Sequence, residues 1–235
     1  MGHPWQLRRC GYDVRMPNSA TAEDIETQEP GGVEDWRPRP SRRTRTILFG
    51  EMLLFAIVSL VASAVLSIDA IKLAADPGAD LACSINAILD CAKVGTTWQA
   101  NVFGFPNAFL GLVSEPVVMT IAVASLVMVR FPRWFMFTAN VCYLLGVIFA
   151  YWLLFQSSFV IGALCPWCLT VTLSTTFVFS SMTQWNILEN NLFLSPSAQE
   201  KAVAFVKGGW FTIVLIGWLA LVIFIEVLKF GFQII

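Results

Sequence analysis

The residues best equipped for covalent chemistry are the six cysteines, and two pairs of them stand out by spacing. Cys165-Pro166-Trp167-Cys168 sets two thiols three residues apart. On a helix that spacing puts both side chains on one face, at a separation a disulfide can bridge. Proline suits the first helical position, which makes Cys165 the predicted N-cap. A thiolate there meets unpaired N–H groups and the positive end of the helix dipole, so the sulfur is expected to be reactive. A static structural disulfide is the competing reading, but CPxC at a helix start favours thiol–disulfide exchange.

Cys83 and Cys91 have seven residues between them. On a continuous helix their Cα atoms would stand ~12 Å apart, beyond disulfide reach. Pairing therefore requires the chain to fold back, with Asn86 the predicted turning point. The spacing alone leaves a redox pair and a structural disulfide both open. With a CPWC on the same face, an exchange relay is the economical explanation. A zinc site built from all four thiolates is a rival, but the long spacing is unlike the short knuckles zinc takes. Neither remaining cysteine has a partner in sequence: Cys10 sits in the N-terminal tail, and Cys142 falls mid-span, where a small apolar filler is expected. The single histidine, His3, also lies in the tail. This argues against histidine acid–base chemistry, a haem ligand and most zinc sites.

The elements that must position these cysteines are read from hydropathy. The chain is 57% hydrophobic and 13% charged, with a mean hydropathy of +0.69. So much apolar surface cannot be hidden in one aqueous core of this size, and a lipid bilayer is the expected surroundings. The net charge of −1 makes no case for nucleic acid, and none is expected as a partner. Eight basic and seven acidic residues crowd into Met1–Arg45. That segment is rich in Pro, Gly, Ser and Glu and lacks apolar periodicity, so residues 1–45 are expected to form a disordered cytoplasmic tail. Residues 46–235 are expected to form a membrane domain.

A spanning helix needs roughly 20 mostly apolar residues. Five stretches qualify: Ile47–Leu73, Asn107–Val129, Trp134–Phe155, Ala163–Thr183 and Gly208–Leu228. The predicted fold is thus an all-α integral membrane protein. Ser59, Ser63 and Ser67 recur every fourth position in the first span, which suits a small-residue packing stripe. Arg37, Arg39, Arg42, Arg43 and Arg45 precede that span, while Arg130, Arg133, Lys201 and Lys207 fall in later connections on the same side. Positive charge stays inside, so the N-terminus is predicted to be cytoplasmic and the C-terminus extracytoplasmic. Both cysteine pairs then face the oxidising compartment, where disulfides persist; the redox loop is residues 74–106.

Electron flow follows from what is missing. A conduit for cytoplasmic reducing power needs a thiol pair reachable from inside, and Cys10 alone cannot provide one. No haem or flavin motif is present. An acceptor dissolved in the bilayer, a quinone, can reach the helix that carries the CPWC. The reading from another class is a non-catalytic membrane scaffold whose outer loops are held by structural disulfides.

The order Cys83-x7-Cys91, Val94-Gly95-Thr96-Thr97-Trp98-Gln99-Ala100, Phe103-Gly104-Phe105-Pro106-Asn107 and Cys165-Pro166-Trp167-Cys168 resembles the bacterial vitamin K epoxide reductase homologues, the actinobacterial type most of all. The resemblance implies a four-helix bundle around a quinone (menaquinone or ubiquinone) with an outer fifth transmembrane helix, in the cell membrane. It implies that Cys83 meets the partner's thiols, that Cys91 shuttles to Cys165, and that Cys168 faces the quinone and forms an adduct with it. Thr97 matches the family's loop Ser/Thr near the site, and Asn107 the asparagine that hydrogen-bonds a quinone carbonyl. From the residues alone, Asn107 is also a candidate N-cap of the second span, and Thr96 and Thr97 are candidates for capping loop backbone.

Two departures bear on function. Gly95 and Thr172 stand where the animal enzymes carry aromatic residues packed on vitamin K, which favours plain quinone reduction over epoxide reduction. No thioredoxin-like domain follows the fifth span, so a separate DsbA-like, thioredoxin-fold partner is expected, and neither a metal nor a flavin cofactor. Glu115, a carboxylate inside a span beside Pro116, is a candidate proton relay; Asp76, Asp80 and Asp90 read as a solvated loop face.

Overall fold

Helix α1, Arg42–Ala75, begins where the Ser41 hydroxyl accepts the Thr44 N–H at 3.1 Å. Its 34 residues carry the chain ~50 Å along the helix axis, enough to cross a bilayer and project beyond it. The computed structural model describes residues 37–84 and 89–231. The predicted tail, with His3 and Cys10, lies outside them apart from its last residues. Arg42, Arg43, Thr44 and Arg45 form the first turn of α1, so the helix starts earlier than the predicted boundary at residue 45.

After the cysteine loop, with its one-turn helix α2 (Cys91–Gly95), come α3 (Ala108–Leu126), α4 (Arg133–Phe155), α5 (Pro166–Leu188), α6 (Pro196–Lys207) and α7 (Trp210–Gly231). Among the described residues, four helical segments are long and apolar enough to cross a membrane: α1, α3, α4 with its extension to Ile161, and α7. Helix α5, the predicted fourth span, has the length but is rich in Ser and Thr. Its physical setting explains this. Thr172, Ser174, Thr175, Thr176, Ser180 and Ser181 are buried, because α5 packs against both α1 and α4 rather than facing outward. The Thr172 and Thr176 hydroxyls donate to carbonyls one turn back, at 2.9 and 2.7 Å.

The serine stripe of α1 is a packing seam. Ser59, Ser63 and Ser67 are buried, and Gly111 of α3 lies so close to Ser63 that a methyl group there would overlap it. The apolar core, built around Phe49, Met52, Ala122, Met136, Val178 and Met182, fills the bundle on the side away from the cysteines. There Arg130 pairs with Glu189 at 2.9 Å, and Asn186 donates to Asn140 at 2.8 Å. Helix α7 presents Leu219, Val222, Glu226 and Phe230 inward and leaves Ile213, Ile216 and Phe224 exposed. Trp218 donates to the Tyr151 hydroxyl at 2.8 Å, and Ser158 to Glu226 at 2.8 Å. Helix α6 was not expected from composition. Its Val203 and Val206 pack on the core while Glu200, Lys201 and Lys207 stay on the polar side.

Candidate redox site

The loop after α1 is built from local hydrogen bonds. Asp76 accepts the Gly78 N–H at 3.0 Å, turning the chain. Cys83 and Cys91 are joined in a disulfide, their Cα atoms 5.6 Å apart. The chain therefore does fold back between them; the predicted turning point, Asn86, lies outside the described residues. The residues next to the two cysteines form a second tie. Ser84 donates to Asp90 at 2.7 Å, its oxygen accepts the Ala92 N–H at 3.2 Å, and Asp90 caps α2 through the Lys93 N–H at 3.1 Å. Asp90 is thus a latch and helix cap rather than a member of a solvated face. Slight burial opposes ionisation, but the Ser84 hydroxyl, the Lys93 and Ala92 amides and the Lys93 ammonium hold its carboxyl below the ordinary value.

The CPWC arrives from the other direction. Helix α4 runs into a wider turn at Gln156–Ile161, and Gly162 stops it with φ of 69°, a conformation that costs any residue with a Cβ. Leu164 then pairs with Leu89 of the cysteine loop as a short parallel bridge. Cys165 occupies the N-cap of α5 and Pro166 the first turn, as predicted.

These two routes bring the pairs together. The Cys91 sulfur lies 3.3 Å from the Cys165 sulfur, while Cys165 and Cys168 are free thiols. Leu73, Leu81, Trp167 and Val94 wrap the cluster, so the exchanging sulfurs are shielded from solvent. Beside them stands Asp69 of α1, a buried carboxylate whose oxygen is 3.8 Å from the Cys83 sulfur. The sequence reading passed over Asp69. The available signal was the rule that a carboxylate inside an apolar span calls for a reason, there applied to Glu115 alone.

From the sulfurs a cavity of about 430 Å³ runs into the bundle, lined by Cys91, Cys165, Cys168, Gly95, Gln99, Asn107, Thr172, Glu115 and Tyr143 among mostly apolar residues. Asn107 is on the wall. It stands at the N-cap of α3 but makes no side-chain cap bond. Its amide instead clamps the preceding loop, donating to the Gln99 carbonyl at 2.6 Å and accepting the Val102 N–H at 3.2 Å. Thr97 is not on the wall; its hydroxyl donates to the Val94 carbonyl at 2.7 Å, as Thr96 does to Ala92 at 3.0 Å. Cys142 is no buried filler. It is exposed and borders the cavity from α4. Glu115 accepts from Ser59 at 2.9 Å and from Tyr143 at 3.1 Å, tying α1, α3 and α4 together at depth.

A helical membrane protein that sets a bonded cysteine pair against a free CPxC pair, at the mouth of an apolar cavity, is a membrane redox protein. The sequence model of the Vitamin K epoxide reductase family matches residues 51–183, more than half of the 235, and the chain belongs to that family. The matched stretch runs from α1 into α5 and includes all four cysteines of the two pairs. Among curated proteins none matches the chain.

Proposed function

We propose that the chain is a quinone-dependent thiol–disulfide oxidoreductase. It oxidises the dithiol of a thioredoxin-fold, DsbA-like partner on the extracytoplasmic side and so supports disulfide formation. The observation that carries this is the 3.3 Å approach of Cys91 to Cys165, with one pair bonded and the other free. Structural disulfides have no use for a free pair at that distance.

In this reading Cys83 exchanges with the partner, Cys91 hands the disulfide state on to Cys165, and Cys168 lies nearest the membrane acceptor. The cavity suits a quinone in size and lining, since ligand sites of this kind hold about 300–1,000 Å³ and are mainly apolar with a few polar groups. One polar atom on its wall, Gln99 Oε1, is buried without a hydrogen-bond partner. A bound quinone supplies an acceptor for two electrons and two protons. Asn107 spends one of its two amide N–H bonds on Gln99 and has a second to orient a carbonyl. Thr97 acts at one remove, by fixing the loop that carries Gln99. At Gly95 an added Cβ would stand 2.9 Å from Leu73. An aromatic side chain there would have to displace Leu73, which supports simple quinone reduction. All five long helices are read as crossing the bilayer, with α5 the most enclosed, the N-terminus inside and the cysteines outside.

The test uses the full chain in lipid nanodiscs, a reduced thioredoxin-fold protein and a soluble quinone. Hydroquinone is expected to form in step with oxidation of the partner. A protein whose four cysteines stay in one state through that mixture would not be an oxidoreductase of this kind.

A further inference from the structure

We propose that Asp69 is the proton carrier of the relay, taking a proton from Cys83 and returning it to Cys165. This rests on the exchange between pairs proposed above and assigns a role to a residue which that scheme does not use.

Exchange between the pairs moves a proton as well as electrons. When Cys91 is joined to Cys165, the remaining thiol of the loop is Cys83. A thiol is a poor nucleophile until its proton leaves, and Leu73 and Leu81, packed with the cysteines, restrict the access of water that could take it. The carboxylate of Asp69, 3.8 Å from the Cys83 sulfur, is the base in reach. Cys83 gives its proton to Asp69, and its thiolate attacks Cys91. The Cys91–Cys165 bond breaks and its electron pair leaves on Cys165. Asp69 then passes the proton to the Cys165 thiolate. Cys83 and Cys91 end as a disulfide, Cys165 ends as a thiol, and no outside reductant or oxidant enters. The structure holds this product arrangement: a Cys83–Cys91 bond, a free Cys165, and 3.3 Å between Cys91 and Cys165.

Asp69 and Cys165 line the same cavity, so one carboxylate can serve both sulfurs across it. Among the described residues, Cys83 of the loop and Lys72 of its own helix stand within 4.0 Å of Asp69, and Cys165 at the start of α5 shares its cavity. Lys72 is 4.0 Å away and 57% exposed, so it does not lock the carboxylate into a tight ion pair.

Asp69→Asn keeps the shape and removes the base. With dithiothreitol as the dithiol and a soluble quinone, a Cys91–Cys165 linked species is expected to accumulate in a non-reducing peptide map. Closure of the Cys83–Cys91 bond is expected to slow roughly a hundredfold, the ordinary contribution of a positioned base. The residual rate is expected to rise with pH, as hydroxide takes over, where the parent protein is flat. Asp69→Glu retains a carboxylate and is expected to recover speed and the flat profile. Should Asp69→Asn fail to fold, Asp69→Glu against Asp69→Ser in folded protein makes the same comparison. Unchanged closure in Asp69→Asn, or no advantage of Glu over the neutral variants, overturns the proposal. If Cys83→Ser never traps a Cys91–Cys165 link, the relay itself fails and the role of Asp69 falls with it. A link trapped by Cys83→Ser but not by Asp69→Asn strikes the role of Asp69 alone.

Discussion

Cys91 is bonded to Cys83, and its sulfur also lies 3.3 Å from the sulfur of Cys165, a residue 74 positions further along the chain. Disulfide exchange proceeds through a mixed disulfide that a third thiolate resolves. In the proposed relay Cys83 is that thiolate. Cys83→Ser is therefore expected to trap Cys91 on Cys165 and stop electron flow from a protein partner. A peptide map without reductant checks it. Cys91 found free, with Cys165 still bonded to Cys168 in protein given reductant and quinone, would mean that the pairs never exchange.

The CPxC pair and four of the predicted spans were legible because both depend on local sequence: cysteine spacing, and uninterrupted apolar length. The five long helices start and stop within a few residues of the predicted spans. Asp69 was legible only as a carboxylate inside an apolar span; its partner was not, because Cys83 reaches it only after a loop folds back. Nor was the polar composition of α5, whose Thr and Ser side chains are tolerated by burial between α1 and α4. Asn107 was found through the family resemblance, and the geometry removes only the competing reading as a helix cap: its amide holds the loop, not the helix end.

Asn107→Ala removes the clamp on Gln99 and Val102 and leaves the buried Gln99 carbonyl and the partly exposed Val102 N–H without their partner. Each such group costs about 1–3 kcal/mol, so the melting temperature is expected to fall. Quinone turnover is expected to drop further, with a raised KM, while exchange between the loop cysteines and a soluble dithiol continues. Equal losses in turnover, exchange and folded protein would reduce Asn107 to a structural role.

Gly111→Ala tests the seam between α1 and α3. The added methyl overlaps Ser63, and overpacking of this kind costs about 1–3 kcal/mol. Denaturation in detergent is expected to show the loss, and Ser63→Gly in the same chain is expected to restore most of it. A Gly111→Ala protein as stable as its parent would mean that the helices separate freely there.

The latch at Asp90 gives a pH dependence of known sign. Its carboxyl lies below the ordinary value in the folded chain. The stabilisation is therefore present above the unfolded value of about 3.9 and is lost as pH falls through the lower, folded one. Acidification into that range is expected to loosen the loop, read as faster amide exchange at Ala92 and Lys93. Asp90→Asn is expected to show the loosened loop at neutral pH and little further change on acidification.

The orientation of the whole bundle is open to a direct labelling experiment. Five arginines from Arg37 to Arg45 precede the apolar stretch of α1, and positive charge of this kind favours the cytoplasm. The Cys83–Cys91 loop and the Cys165 end of α5 lie together, and in the proposed orientation both are on the opposite side. A membrane-impermeant maleimide added to intact cells under sustained reduction, which breaks the Cys83–Cys91 bond that ties the loop shut, is expected to modify the loop cysteines and spare Cys10. Cys142 borders the cavity within α4, away from the loop, and is expected to react only with a lipid-soluble reagent. Disruption of the membrane is expected to expose Cys10, which controls for its reactivity. Modification of Cys10 in intact cells, with the loop protected, would invert the bundle. The cysteines would then face a reducing compartment, and a secreted thioredoxin-fold partner could not reach them.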